Sequence, residues 1–208
     1  MYRAIQPLIL ALVALSCYTQ VNAQCNQLVP LEVVNPSFEG PPGAHITPNP
    51  WSTCGITPDT QPGIWGVNQP PSDGNSYVGF VYGSPNWQEG ASQALSGSMQ
   101  AGVTYDFTID LSATPAAGGG INPNSFCSME VWGANAICVK TELMWSSPVI
   151  THYGWQTYNV SITPSQNWTH IYFICNCGPL GYILLDNITP LQADNPNVFI
   201  TSHVDGDA

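Results

Sequence analysis

The stretch "VTYDFTIDL", Val103 to Leu111, sets Val103, Tyr105, Phe107, Ile109 and Leu111 in strict alternation with Thr104, Asp106, Thr108 and Asp110. Alternation of period two sends successive side chains to opposite faces, so this run predicts a β-strand with one face on a core. "WQTYNVSIT", Trp155 to Thr163, repeats the pattern with Tyr158, Val160 and Ile162 inward. Working outward, further strands are predicted at Leu31 to Val34, Ser76 to Tyr82, Ala91 to Leu95, Phe126 to Trp132, Leu143 to Ser146, Trp168 to Cys175 and Tyr182 to Ile188. No long stretch carries a helical period, and 19 Gly and 19 Pro interrupt the chain too often for ordinary helices. Short strands separated by turn-forming segments argue for a single antiparallel β-sandwich.

Charge excludes several function classes. The 208 residues contain two Lys and Arg side chains against 13 acids, a formal net charge of -11. Nucleic acid and anionic membrane surfaces need basic side chains to displace counterions, so neither is a partner, and polyanionic substrates are disfavoured on the same ground. Disorder is excluded too, because 44% apolar and 11% aromatic residues supply a core while only 7% are charged.

The first 23 residues read as an export signal. Arg3 gives a basic start, Leu8 to Ser16 is an apolar run too short to span a bilayer, and Val21-Asn22-Ala23 is a small-residue cleavage site. The folded domain is then expected over residues 24–192, with 193–208 a tail or linker. Six cysteines follow the signal (Cys25, Cys54, Cys127, Cys138, Cys175 and Cys177), and an oxidising compartment favours pairing. Cys127 with Cys138 is the favoured pair, because "CSMEVWGANAIC" can run out along a strand, turn and return. Zinc on Cys127, Cys138, Cys175 and Cys177 is the rival, but the one-residue spacing of Cys175 and Cys177 suits a tetrahedral ion poorly. Sequons at Asn159, Asn167 and Asn187 matter only in a host that glycosylates asparagine.

Between Gly40 and Asn75 lies a long Pro/Gly-rich excursion holding Trp51, Cys54 and Trp65, which reads as a packed, pinned loop on the sandwich rim. A second break, "ATPAAGGGINPN", is expected to be flexible and solvent-facing. Two isolated acids stand at strand ends: Glu39 in "NPSFEG" and Asp186 in "YILLDNI". If the first and last strands are neighbours, the two carboxylates could meet, and with nearby carbonyls they are what calcium requires. Asp73 in "PPSDGNSYVGF" adds a third acid.

Taken in order with "GWQTYNVSITP" and "NWTHIYF", these motifs resemble the calcium-bearing jelly-roll modules of the galactose-binding-like type, which include several carbohydrate-binding module families. They are particularly similar to N-terminal domains of secreted, gliding-motility-associated proteins of the type IX secretion kind. The resemblance covers about Leu31 to Leu191. It implies a jelly-roll β-sandwich, a secreted or cell-surface location, a glycan partner and further domains of a larger protein. It also implies a structural calcium ion on Glu39 and Asp186, with Asp73 a looser transfer.

Sugars present hydroxyls around apolar C–H faces, so their sites combine aromatic platforms with hydrogen-bonding side chains. In "WTHIYFIC" Trp168, His170, Tyr172 and Ile174 share one face, and in "FCSMEVW" Phe126, Ser128, Glu130 and Trp132 do. If these strands are neighbours, Glu130, Trp132, His170 and Tyr172 line a sheet face with polar groups beside rings. Trp51, Trp65 and Trp87 on loops form a second candidate cluster, while Trp145 and Trp155 are expected in the core. No nucleophile elbow, zinc helix or phosphate loop is present, and the four histidines are scattered. A glycosidase needs only two carboxylates in a cleft, for which Glu89, Glu130, Asp106 and Asp110 are candidates. Asp106 and Asp110, however, sit at even spacing on one strand like solvated residues. The sequence thus predicts a non-catalytic carbohydrate-binding module, with a structural or adhesive domain and a glycosidase as alternatives.

Overall fold

The structure is a computed structural model that describes residues 29–194 apart from 57, 85, 86 and 117. The expected signal segment, Cys25 and the tail beyond Asp194 lie outside the described residues. Two antiparallel sheets face each other as a β-sandwich, consistent with a jelly roll. The first holds β1 (Ser52–Cys54), β5 (Gly90–Met99), β10 (Trp168–Cys177), β7 (Cys127–Ala134) and β8 (Glu142–Ser146), in that order. The second runs β12 (Gln192–Ala193), β6 (Tyr105–Ala113), β11 (Gly181–Asp186), β3 (Tyr77–Ser84), β2 (Asp59–Gln61), with β4 (Trp87–Gln88) on β3 and β9 (Gln156–Ile162) on β6.

Alternation explains the core. Tyr105, Phe107, Ile109 and Leu111 of β6 pack inward with Val160 and Ile162 of β9, against Met129 and Val131 of β7 and Ile171 and Phe173 of β10. The strand predicted at Leu31 to Val34 is reduced to a bridge between Leu31 and Leu191. Its next stretch pairs with a side chain: the Gln93 amide accepts from Val34 N at 2.5 Å and donates to Val34 O at 2.9 Å. The C-terminal strand holds on through Ala193, and Asp194 N donates to Thr104 O.

The long excursion contributes two short strands of its own, β1 to one sheet and β2 to the other. Cys54 bonds to Cys138 and Cys127 to Cys177, so the expected Cys127–Cys138 pair is corrected. Cys127 and Cys177 are register partners on β7 and β10, whereas Cys138 lies beyond the turn, beside β1. Cys175 is a buried free thiol donating to Val81 O; burial first, then the Glu89 charge, pushes it up to about 12. Of the zinc quartet, three are thus in disulfides.

The outer face of the second sheet is not bare. Tyr77 and Val81 of β3 and Tyr182 and Leu184 of β11 form a second apolar cluster, roofed by Val67 and Ile121 with Trp87 and Trp155 packed against it. The roof is made by the long excursion and by the "ATPAAGGGINPN" segment, so both loops pack on this face. Gly118–Gly120 is a 3-10 turn against Trp65, and a Cβ on Gly119 (φ 63) would lie 2.7 Å from the indole. Only glycine permits that approach.

Candidate functional site

Three groups of polar and aromatic residues occupy defined places on this frame. At one end of the outer face the acids expected to bind calcium gather around the 72–76 loop. Asp186 is completely buried, and its Oδ2 accepts from Ser72 N at 2.8 Å and Asp73 N at 3.0 Å while Oδ1 accepts from Asn187 N at 2.8 Å. Glu39 takes the other half of the loop: Oε1 accepts from Asn75 N at 2.8 Å and Ser76 N at 3.1 Å, and Oε2 from Asn75 Nδ2 at 3.3 Å. Its carboxylate rests on Gly74 (φ 65), where a Cβ would lie 2.2 Å from Oε1. Asp73 itself accepts from Ser37 Oγ at 2.6 Å.

The expectation that Asp110 is a solvated strand residue is corrected. It is buried opposite Asp186 in the β6–β11 register, and accepts from Ser72 Oγ, Thr157 Oγ1 and Asn187 Nδ2 at 2.6, 2.6 and 3.0 Å. Burial pushes the Asp186 carboxyl up to about 7 against its backbone N–H partners, with the Asp73 charge adding to the rise. Burial acts upward on Glu39 as well, but the Asn75 and Ser76 N–H groups hold it below its usual value. Calcium takes six to eight oxygen ligands at once. Here the oxygens of Glu39 and Asp186 are turned onto N–H groups, and among the described residues no three His, Cys, Asp or Glu side chains converge where a metal ion would sit. This donor set does not fit the ion. It is a clip that ties the two ends of the domain to one loop by hydrogen bonds.

The second group is the predicted sheet-face set. β7 and β10 are neighbours, with Trp132 opposite Tyr172 and Glu130 opposite Ile174. Trp132 donates to Glu130 Oε2 at 2.8 Å, Asn176 to Glu130 Oε1 at 2.9 Å, and Lys140 lies 5.7 Å from the Trp132 ring. Tyr172, however, is only 4% exposed, packed with Cys54 beside the Cys54–Cys138 bridge, and His170 holds Thr169 Oγ1. Glu130 and Trp132 are half-buried, so this face offers one indole and no continuous platform. Trp168 is rotated into the core by an irregularity between Trp168 and His170.

The third group is a hollow of about 150 Å³ at the opposite end of the outer face, lined by His45, Asp59, Trp65, Trp87, Gly119, Leu180 and Tyr182. Trp65 and Trp87, two of the three rings expected to cluster on loops, both line it, Trp87 from strand β4. Trp51 does not: it is buried against Phe38, ring centroids 4.6 Å apart, and donates to Asn35 O. Asp59, 2% exposed, accepts from Trp65 Nε1 at 3.0 Å, Tyr182 OH at 2.8 Å and His45 N at 3.0 Å. Gln61 donates to the Tyr182 hydroxyl. Burial, then the Asp59 charge, holds the Tyr182 phenol far above its ordinary value, so it remains a donor. Glu89, with no exposed surface, accepts from Trp87 Nε1 at 3.0 Å and Val81 N at 2.9 Å. Each indole is therefore fixed in plane by a buried carboxylate, and the Trp65 ring, 38% exposed, faces outward from that anchor.

Asp59, His45 and Tyr182 were not legible as site residues. Asp59 lies in an irregular Pro-rich run, and Tyr182 reads as a core strand residue until the outer face proves to be covered. A weak signal was present: Asp59 and Glu89 are lone acids close in sequence to Trp65 and Trp87.

No family model and no curated relative matches the chain. Among solved structures it is similar to a Stig cyclase from Fischerella sp. TAU, at 15% identity and TM-score 0.57 over 80% of this chain and 98% of that one. It is similar to the arabinose-bound arabinofuranosidase MgGH51, at 12% identity and TM-score 0.57 over 79% of this chain and 26% of that enzyme. A looser likeness, TM-score 0.47 at 16% identity, joins 77% of this chain to 97% of the module TmCBM61 in complex with beta-1,4-galactotriose. At these identities the likeness is one of fold, and folds of this kind host both enzymes and binding modules.

Proposed function

We propose that this chain is a non-catalytic glycan-binding module working outside the cell, and that it grips its ligand at the hollow between Trp65 and Trp87. The observation that carries this reading is the pair of indoles, each held by a buried carboxylate, around one small opening. A ring whose plane is already fixed loses little entropy on stacking, and stacking plus hydrogen bonding is how proteins hold a sugar. His45, exposed at the rim, supplies a polar edge.

A carboxylate pair for hydrolysis is poorly served here. A general acid needs a free oxygen facing the glycosidic bond. Asp59 and Glu89 are both buried, with both oxygens accepting hydrogen bonds from the protein. The two disulfides agree with an oxidising compartment. A neutral sugar suits the site, since its lining holds the Asp59 carboxylate and, among the described residues, no lysine or arginine.

Affinity electrophoresis against a broad panel of soluble polysaccharides tests the reading. Retardation by a neutral polysaccharide that disappears in Trp65→Ala and Trp87→Ala, but persists in Trp132→Ala, supports it. Retardation lost in Trp132→Ala alone moves the site to the other sheet. None across the panel makes the domain a scaffold or adhesive unit, and release of oligosaccharide products makes it an enzyme.

A further inference from the structure

A hollow of about 150 Å³ is small beside the roughly 300–1,000 Å³ of typical ligand sites, so it holds one ring. A groove of about 500 Å³ lies next to it, between Asn68, Gln69 and Pro70 on one bank and Thr114, Tyr153 and Trp155 on the other. The two openings are lined by neighbouring stretches of the same two loops. Trp65 lines one and Gly66, the next residue, lines the other; Thr114 and Pro115 line the groove, and Gly119 and Ile121 line the hollow. At this junction a Cβ built on Gly66 meets no atom within 4 Å.

The groove's lining carries no ionisable carboxyl, amine or imidazole group. Trp155 is fixed by its bond to Pro70 O at 2.8 Å and by an edge contact to Tyr77 at 5.1 Å, and Tyr153 is 53% exposed. Gln69 brings the single buried side-chain atom without a hydrogen-bond partner among the described residues, its Nε2. A buried donor left unpaired costs about 1–3 kcal/mol.

We infer that this groove is a second subsite that takes the following residues of the same neutral polysaccharide, so that the module binds along a chain. The inference rests on the hollow being a sugar site. The occupant is set by adjacency to that hollow, by the uncharged lining, and by two rings and two side-chain amides in one groove.

Calorimetry with mono- to hexasaccharide ladders of β-1,4-galactose, β-1,4-xylose and α-1,5-arabinose separates the two ideas. The expected result is an affinity that climbs at least tenfold with chain length in one ladder. In Tyr153→Ala, and independently in Asn68→Ala, that climb flattens while the shortest binding ligand keeps its wild-type Kd. Both positions are solvent-exposed, and a thermal melt reports any folding defect. Affinity that is flat with length, or a climb untouched by both variants, overturns the groove and leaves the hollow standing. No binding at any length in any ladder, with no polysaccharide retained either, overturns both.

Discussion

At the 72–76 loop and at the Trp65–Trp87 hollow, carboxylates are held by uncharged hydrogen-bond donors and by no lysine or arginine, but the donors differ. Asp186 and Glu39 are satisfied by backbone N–H groups of a loop, so they determine where the chain goes. Asp59 and Glu89 are satisfied chiefly by indole N–H and phenol O–H groups, so they determine how side chains are presented. In a chain whose described part contains one lysine and no arginine, neutral donors must do what ion pairs do elsewhere. Which donor answers the acid separates carboxylates that fix the path of the chain from those that orient rings.

Removing Asp186 from the clip and Trp65 from the hollow is the largest test of that distinction. Asp186→Ala leaves the N–H groups of Ser72, Asp73 and Asn187 without their acceptor, at about 1–3 kcal/mol for each one that water does not reach. The melting temperature should fall by on the order of 10 °C for a domain of this size. Asp186→Asn should restore part of it, and glycan binding by the folded fraction should be unchanged. At the hollow the pattern inverts: Trp65→Ala should weaken binding at least about tenfold, or 1.4 kcal/mol, while the melt moves little. Should the melt collapse in Trp65→Ala, the hollow would belong with the clip as architecture.

Glu142 sharpens the contrast because it does both jobs, accepting from Ser165 N at 2.9 Å and Trp168 Nε1 at 2.6 Å. Burial acts upward on it, but those donors hold its carboxyl below the usual value. A depressed folded value contributes stability that is present above the ordinary value of 4.5 and is lost as pH falls through the folded one. Melts from pH 6 to about 3 should therefore show an acid-side loss that shrinks in Glu142→Gln. The smallest effect is expected from calcium. Because Glu39 and Asp186 already hold N–H groups, adding Ca²⁺ or a chelator should leave the melting temperature in place, and a clear rise with Ca²⁺ would give the clip a metal.

What was legible in the sequence follows from the range of each interaction. Period-two alternation is local, so β6, β7, β9, β10 and β11 could be placed from Val103 to Leu111 and its relatives. Strands of two or three residues such as β1 and β2 have no period to read; their partners in β5 and β3 define them. Glu39, Asp73 and Asp186 stood out as isolated acids, and they do share one loop, yet the spacing could not say that the loop would offer N–H groups. Asp110 pointed outward as alternation requires, but outward here lies beneath a loop. The Cys54–Cys138 bridge was hidden because it joins the long excursion to a turn 84 residues away. Trp65 and Trp87 stood out as rings between the longer strands, though Trp87 lies on the two-residue strand β4, while their carboxylate anchors needed the third dimension.

The scarcity of bases has a consequence for survival among secreted proteases. An enzyme that cuts after lysine or arginine finds one target in the described chain, the peptide bond following Lys140, in the exposed turn between β7 and β8. Cys127 and Cys177 lie on opposite sides of that bond and are covalently joined. A nick there should leave two fragments that travel as one under oxidising conditions and part only after reduction.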